Sequence, residues 1–366
     1  MPIIHNIEWK SAALLKFLGM DKSSRFRFDK WPRTKYEWLT DTNNPVSGTL
    51  AEAFANDADT AIVITTGQGQ YLKAGDILKV GTELLQVVSV STDTVTVVRG
   101  FAGTTKANHA NLDAWERVTT ARIEGATTDF GYSTTTGVEY NYTQIFQRAV
   151  QVTGSEMVDT NYSIQDQMAY QMEKYLARGK TAGELPIDLM KTFYHGLRAV
   201  GSATTPRAMG GFNQFVTAAI AGSSHVVALS SASLTLKAIV DLMQACYEDG
   251  GQPDSIIVGG WGKRKISEFW KGQTTQERTS EQGGEVIETI KTDFGMIDVV
   301  YDRFCPTNEL YLIQKSEMGW FPYRPFAIHD RPASGDYVVK EIIGEYGFAL
   351  VNPKAHGKLS GFSTTA

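Results

Sequence analysis

The segment from Val138 to Arg178 constrains this chain more than any other, because it joins two different periodicities. It begins as an extended stretch crowded with Tyr, Asn and Gln, and it continues as an amphipathic helix predicted over Ser163–Arg178. The apolar stripe of this helix would contain Ile164, Met168, Met172 and Tyr175 or Leu176. An aromatic and polar ribbon of this kind is costly to leave in water, and no catalytic constellation accompanies it. The layout is typical of a subunit that binds copies of itself.

The composition is that of an ordinary globular protein. Of 366 residues, 42% are apolar and 20% are charged, which is enough apolar material for one large domain or two moderate ones. The 35 basic residues are outnumbered by 40 acidic ones, so the formal net charge is -5. A dedicated nucleic-acid-binding protein would carry a basic excess or patch. A container whose wall makes weak contacts with nucleic acid is compatible with this charge.

The two cysteines and the hydropathy pattern favour a soluble protein that is made in the cytoplasm. Cys246 falls on the apolar face of a predicted helix and is expected to be buried. Cys305 lies near Arg303, whose charge would lower the thiol pKa, but no partner base is evident. Neither cysteine belongs to a CxxC pair, which favours a reducing compartment. The chain shows no signal-peptide pattern at its start and no stretch of roughly 20 apolar residues that could span a bilayer.

Residues 1–50 have the character of an arm. A helix is predicted from Trp9 to Leu18, and aromatic residues then alternate with basic ones. Bulky aromatic side chains in an irregular segment need a surface to lie on, which is either the body of the same chain or a neighbouring subunit. The residues predicted to make assembly contacts are Arg25, Arg27, Trp31, Arg33 and Trp38.

Residues 61–118 form an island of short β-branched runs. Their spacing of about 10 residues, with Gly, Ser and Asp between them, predicts a small antiparallel β-module. We interpret it as an insertion, because extended chain of a different character resumes at Thr119. The predicted strands are Ala61–Thr65, Ile77–Val80, Leu84–Val90 and Val95–Arg99.

The region 231–350 alternates predicted helices and strands. One helix is predicted from Ser233 to Tyr247, with Ser231 or Ser233 as its N-cap, and another from Lys263 to Trp270. Gly272–Gly284 has almost no apolar residues and is predicted to be a mobile loop. The predicted strands are Ser255–Val258, Val286–Lys291, Ile297–Tyr301, Leu310–Ile313, Gly319–Tyr323 and Val338–Leu350.

No constellation of residues predicts catalysis, a cofactor or a metal. Gly179–Thr181 lacks the first glycine of a P-loop, and Gly222–His225 is not a GxSxG elbow. The six histidines are scattered and form no HExxH motif. A hard cation could be held by one acidic group, although helix capping or a solvated turn explains it better: Asp41, Asn56, Asp57 and Asp59. We therefore expect no catalytic residue, no cofactor, no metal and no enzyme activity.

Five segments carry a resemblance to a known family. In order, they are RTKYEWLTD, VEYNYTQIFQRAVQVTGSE, DQMAYQMEKYL, MGGFNQF and GMIDVVYDRF with LYLIQKSEMGW, arranged around the β-insertion. This arrangement resembles the major capsid proteins of tailed bacteriophages with the Hong Kong 97 type fold, from about Arg33 to Leu350. The resemblance lies in the layout more than in invariant residues. The insertion itself, with GFAGTTKANHA, is similar to small β-modules of phage virion proteins.

The resemblance implies an α+β fold with an N-terminal arm, an extended loop, a peripheral domain with a spine helix, an axial domain and a small antiparallel β-insertion. The ranges that it implies are 1–50 for the arm, 51–60 and 119–230 for the extended loop and peripheral domain, 61–118 for the insertion, 231–325 for the axial domain, and 326–366 for the return to the peripheral domain and the tail. One departure is expected, because Gly179, Gly183 and Pro186 interrupt the spine helix before a second helix that runs to Leu197.

The resemblance also implies a function and a set of partners. The chain would be a structural subunit of an icosahedral phage head, assembled in the host cytoplasm into hexameric and pentameric capsomers. Its other partners would be a separate scaffolding protein, a portal, a possible decoration protein and packaged double-stranded DNA, with no membrane. The alternatives are a tail or decoration protein built on the β-module and an enzyme with an α/β fold, which the failed motif searches disfavour.

Overall fold

The computed structural model describes residues 33–40, 44–54, 56, 58–125, 137–159, 166–178, 181–269 and 288–365. The predicted helix Trp9–Leu18 and the predicted loop Gly272–Gly284 lie outside these residues. The chain divides into two compact units. We call Met1–Trp38 together with Val138–Ala366 the main unit, and Leu39–Gly137 the inserted unit.

Helices and strands are mixed along the chain. The strands of the described residues are β1 (Lys35–Thr40), β2 (Ser47–Thr49), β3 (Ala61–Val63), β4 (Asp76–Val80), β5 (Glu83–Ser91), β6 (Thr94–Val98), β7 (Ala114–Thr120), β8 (Gly137–Tyr142), β9 (Gln144–Thr153), β10 (Ala177–Arg178), β11 (Thr181–Ala182), β12 (Val226–Ala228), β13 (Ser255–Val258), β14 (Glu288–Thr292), β15 (Gly295–Tyr301), β16 (Glu309–Ile313), β17 (Met318–Arg331), β18 (Tyr337–Leu350) and β19 (Gly357–Ser360). The α-helices of these residues are α1 (Gly154–Val158), α2 (Gln167–Leu176), α3 (Glu184–His195), α4 (Phe212–Phe215), α5 (Leu236–Glu248) and α6 (Gly260–Phe269).

A two-stranded ribbon of β1 and β8 links the two units. Side chains alternate between the two faces of a strand, and in β1 this alternation buries Tyr36 and Trp38 while it exposes Lys35 and Glu37. The ribbon thus places two aromatic rings in the core of the main unit.

The inserted unit is a six-stranded antiparallel sheet in the order β2-β7-β4-β5-β6-β3. Its two outer strands meet, because Leu50 forms a bridge with Ile64 and the Ala51 amide donates to the Val63 carbonyl at 2.8 Å. The sheet therefore closes around a core that includes Trp115, which has no exposed surface. The four predicted strands are present as β3 to β6 with shifted ends, and β2 and β7 were not predicted.

The first part of the main unit is a six-stranded mixed sheet in the order β12-β19-β16-β13-β15-β14. Its central strand β13 is buried at all four positions, as expected of an uninterrupted apolar run. Helix α5 buries the predicted apolar stripe, Cys246 included. The predicted N-cap of this helix is wrong: Thr235 accepts from the Ala238 amide at 3.2 Å, whereas Ser231 has φ of 69° and belongs to the preceding turn.

The second part of the main unit is a three-stranded antiparallel sheet in the order β17-β18-β9. Its Phe146, Val150 and Ile342 side chains share one apolar core with residues of α2 and α3. The predicted interruption of the helix after Arg178 is confirmed, since the paired strands β10 and β11 separate α2 from α3. Gly183 has no room for a Cβ atom, which would lie 2.4 Å from the carbonyl carbon of Leu176.

Phe193 of α3 lies at the centre of the aromatic core, with its ring 5.5 Å from Phe348 and 5.7 Å from Phe212. We expect Phe193→Ala to lower the free energy of unfolding by about 3–5 kcal/mol, because the substitution would leave a cavity lined by the neighbouring aromatic rings. Leu197→Ala is the control, since Leu197 is exposed, and it should change stability by no more than about 0.5 kcal/mol. Urea unfolding of both variants measures the difference, and equal values would contradict this assignment.

Candidate functional site

The structure describes two of the five residues predicted to make assembly contacts. Arg33 is exposed. Trp38 is buried, with its ring stacked 5.7 Å from Tyr36 and tilted 5.6 Å from Phe215. Of the two surfaces considered for the aromatic arm, Trp38 thus lies on the body of its own chain. The other predicted residues, Arg25, Arg27 and Trp31, lie outside the described residues.

The base of the ribbon is fixed to the main unit by buried hydrogen bonds, and we call this place the ribbon root. The Tyr36 hydroxyl donates to the Phe348 carbonyl and accepts from the Phe348 amide at 2.9 Å. The Asn141 side-chain amide donates to the carbonyls of Phe348 at 2.7 Å and Gly210 at 2.8 Å, and it accepts from the Gly210 amide. Burial raises the pKa of Tyr36 well above its usual value, so this hydroxyl keeps its proton. Both strands of the ribbon are thereby bonded to β18.

Glu345 of β18 extends the ribbon root with ionic contacts. Its carboxylate accepts from Arg324 Nε at 3.1 Å, from Arg207 Nη2 and from the Thr143 hydroxyl. Arg207 also donates from Nε to the Thr143 carbonyl at 2.6 Å. One buried carboxylate therefore joins β17, the loop before α4 and the junction of β8 with β9. No sequence pattern predicts this cluster, because its members are as much as 202 positions apart.

The inserted unit has a buried ionic centre of its own at Glu83. Its carboxylate accepts from Arg99 through two bonds of 3.0 and 2.8 Å, from the amides of Gly100 and Ala107, and lies 3.0 Å from His109 Nε2. Burial alone would raise the pKa of Glu83, but these donors hold it at about 2. The GFAGTTKANHA segment therefore has a structural role: its amide and imidazole donors hold the loop after β6 against Glu83 of β5.

We expect Glu83→Gln to lower the free energy of unfolding of the inserted unit by about 3–5 kcal/mol, because Arg99 would remain buried without its counter-charge. Because the pKa of Glu83 is lowered in the folded chain, its carboxylate contributes to stability above pH 4.5, and this contribution is lost as the pH falls through about 2. Chemical denaturation at pH 7 measures the loss. Glu116→Gln is the matched control, because Glu116 is an exposed residue of β7, and a similar loss in both variants would contradict the prediction.

Two buried histidines, His225 and His356, connect the ends of β12, β16 and β19 with the end of α5. His225 Nδ1 donates to the His356 carbonyl at 3.1 Å, and Nε2 lies 2.8 Å from the Asp249 carboxylate at the end of α5. His356 Nδ1 accepts from the Gln314 amide at 3.2 Å. Burial, together with repulsion from His225, lowers the pKa of His356 to about 3. The neutral imidazole of His356 is therefore part of the folded structure.

We expect acid to destabilise the main unit through His356. The unfolded chain takes up this proton below pH 6.5 and the folded chain only near pH 3, so stability falls as the pH drops between these values. The loss is at most about 1.4 kcal/mol per pH unit. His356→Asn keeps an acceptor for the Gln314 amide and should flatten the profile, whereas His195→Asn at an exposed position should not. Unfolding free energies of the wild type and both variants, measured from pH 7 to pH 4, test the contribution of His356. Parallel wild-type and His356→Asn profiles would refute that contribution.

Neither cysteine is activated as a nucleophile. Burial, and then the nearby carboxylates of Asp302 and Glu309, raise the pKa of Cys305 well above its usual value. The expectation that Arg303 would lower this pKa is therefore wrong, because desolvation of the thiolate dominates. Burial also raises the pKa of Cys246 to about 12. The expected burial of Cys246 is confirmed.

Within the described ranges, no group of three or more His, Cys, Asp or Glu side chains is arranged to hold a metal ion. Two members of the acidic group considered for a cation, Asn56 and Asp59, form a turn in which the Asn56 amide donates to the Asp59 carboxylate at 3.1 Å. Asp41 and Asp57 lie outside the described residues. Among the helices that the structure describes, none is long and apolar enough to cross a membrane.

Comparison with known proteins identifies the family. Residues 2–363 match the family model described as SU10 major capsid protein. No curated protein matches the chain. Among solved structures, the chain is similar to one of Microbacterium phage Oxtober96, with 11% identity over 98% of this chain and 93% of that chain and a TM-score of 0.47. It is also similar to the cyanophage A-1(L) capsid asymmetric unit, with 12% identity over 67% and 85% of the two chains and a TM-score of 0.49.

A third similar structure is an encapsulin complex from Synechococcus elongatus, with 10% identity over 63% of this chain and 78% of that chain and a TM-score of 0.44. The family model spans nearly the whole chain and includes residues of both units. The chain belongs to the SU10 major capsid protein family and is a structural subunit of an icosahedral phage head.

Proposed function

We propose that this subunit forms hexameric and pentameric capsomers with the Hong Kong 97 type architecture and works without any catalytic step. The ribbon root carries this proposal: it fixes an extended two-stranded element to a compact body through buried bonds to β18. A subunit that projects a firmly attached ribbon can reach its neighbours and still keep a defined geometry. Many modest contacts then add up in a closed symmetric shell.

We further propose the domain roles that the resemblance implies. Residues 1–50 act as the arm, 51–60 and 119–230 as the extended loop and peripheral domain, 61–118 as the insertion, 231–325 as the axial domain, and 326–366 as the return and tail. The pairing of Tyr337–Tyr346 with Gln144–Thr153 supports the return to the peripheral domain. The six-stranded sheet also takes β12 and β19 from outside the axial range.

The proposed partners are a separate scaffolding protein, a portal, a decoration protein and packaged DNA. The charge distribution supports a specific orientation toward DNA: residues 39–137 contain 11 acidic and 6 basic residues, whereas the remainder contains 29 of each. The inserted unit would be repelled by phosphates. We therefore propose that the main unit meets the DNA through nonspecific, salt-sensitive contacts.

Electron microscopy of the purified recombinant protein, alone and with the scaffolding protein, tests the proposed assembly. We expect closed shells or free capsomers, because many modest contacts between copies add up in a closed symmetric assembly. Tubes or fibres would favour a tail protein, and a strictly monomeric species under both conditions would overturn the proposal. Analytical ultracentrifugation of the same samples separates monomers from capsomers.

A further inference from the structure

We propose that Lys358 and Asn213 of one chain become joined by an amide bond between their side chains, and that Glu309 moves the protons of this reaction. Lys358 lies in β19, Asn213 in α4 and Glu309 at the start of β16. All three residues belong to the main unit. The inference goes beyond the proposed function, because it concerns a covalent change within a single copy and does not depend on how copies assemble.

The register of the mixed sheet brings the lysine and the carboxylate together. Lys358 is paired with Tyr311, and Glu309 lies two positions before Tyr311 in β16. Directly paired residues of an antiparallel sheet point to the same face, as do residues two positions apart in one strand. On that face, Lys358 Nζ lies 2.8 Å from Glu309 Oε1. The Tyr311 hydroxyl donates to the other carboxylate oxygen, so each oxygen has its own partner.

Asn213 presents its side-chain amide to the same amine. Lys358 Nζ donates to Asn213 Oδ1 at 3.1 Å, and Asn213 Nδ2 donates to the Tyr194 carbonyl at 2.6 Å. These two bonds define which side of the amide faces the lysine. A C=O bond is about 1.2 Å long, so Asn213 Cγ lies at most about 4.3 Å from Lys358 Nζ. A small side-chain rotation brings the two atoms to the roughly 3–3.5 Å from which an attack begins.

The reacting groups are largely withdrawn from water. The side chain of Lys358 is 12% exposed and that of Glu309 is 19% exposed. The centre of the Tyr311 ring lies 5.4 Å from Lys358 Nζ, and this ring packs edge-on against Phe212 of α4. Exclusion of water disfavours ionised groups. Transfer of one proton from the ammonium to the carboxylate, which gives a neutral amine and a neutral acid, therefore costs less at such a site than in water.

The reaction needs no reagent besides these three side chains. Glu309 takes a proton from the Lys358 ammonium, and the electron pair thus freed on Nζ forms a new bond to Asn213 Cγ. The bond between Cγ and Nδ2 then breaks, and the two protons lost by Nζ pass through Glu309 to Nδ2. The products are one amide, one ammonium ion and the original carboxylate, and no atom is oxidised or reduced. The groups react once in each chain, so there is no enzymatic turnover.

The bond would close a long loop within the main unit. Asn213 and Lys358 are 145 positions apart, and every strand from β12 to β18 lies between them. A cross-link removes conformations from the unfolded chain, and the effect grows with the length of the closed loop. The bond would therefore stabilise the main unit and would keep β19 from separating from α4.

Mass spectrometry of the folded full-length chain tests the proposal. After incubation at neutral pH, we expect the main species to be lighter than the sequence mass by one molecule of ammonia. Trypsin does not cleave after a lysine whose amine is acylated. Digestion should therefore release a branched product in which 208–237 is joined to 355–366, and tandem mass spectrometry should locate the bond at Asn213 and Lys358.

Three variants separate the reaction from an ordinary ion pair. Lys358→Arg keeps the positive charge but removes the amine, and Glu309→Gln keeps the size of the side chain but removes the proton acceptor. Neither variant should lose ammonia or give the branched product. Lys354→Arg is the matched control, because Lys354 is a half-exposed lysine near the same strand that pairs with Asp249. This control should form the bond as the wild type does.

The wild type alone can overturn the proposal, even where a variant fails to fold. An unchanged mass with an unmodified 355–358 peptide would show an ordinary ion pair only. Loss of ammonia without the branched product would indicate succinimide formation at an asparagine and would equally overturn it. A bond that still forms in Glu309→Gln would overturn the role of Glu309. These measurements need no assembled shells, so their outcome is independent of whether the proposed function holds.

Discussion

The buried hydrogen bonds of the ribbon root are the constraint on which the rest of the structure depends. Asn141 and Tyr36 come from different strands of the ribbon, and both bond to the backbone of Phe348 in β18. Loss of either partner would leave a polar group buried without its bond, which costs more than such a bond contributes when it is made. The base of the ribbon is therefore fixed to β18 of the main unit.

The inserted unit is held together by a closed sheet and a buried ionic centre. Its sheet closes through the bridge between Leu50 and Ile64, so its outer strands are paired with each other. The loop that follows β6 is held by Glu83 and Arg99 instead of by apolar packing. A unit with closed strands and internally paired charges can be placed beside many other copies at high concentration without random pairing of sheet edges.

The sequence predicts local elements well and long-range clusters poorly. The strands β3 to β6, the stripe of α5 that contains Cys246 and the interruption at Gly183 follow from periodicity and turn residues, which act over a few positions. Glu345 and its partners could not be predicted, because register alone decides which distant side chains meet. The thiol of Cys305 shows the same limit: its neighbour in sequence is Arg303, but burial determines its pKa.

Two buried carboxylates of β18, Glu341 and Glu345, are neutralised within the chain, and this affects how the subunit can pack in a shell. A carboxylate that is paired inside one subunit needs no counter-charge from the next subunit. The surface around Glu341 and Glu345 can therefore be covered without leaving either charge unpaired. The paired arginines, Arg331 and Arg324, remain about half exposed. A subunit built in this way gains stability from closure and does not need strong pairwise contacts.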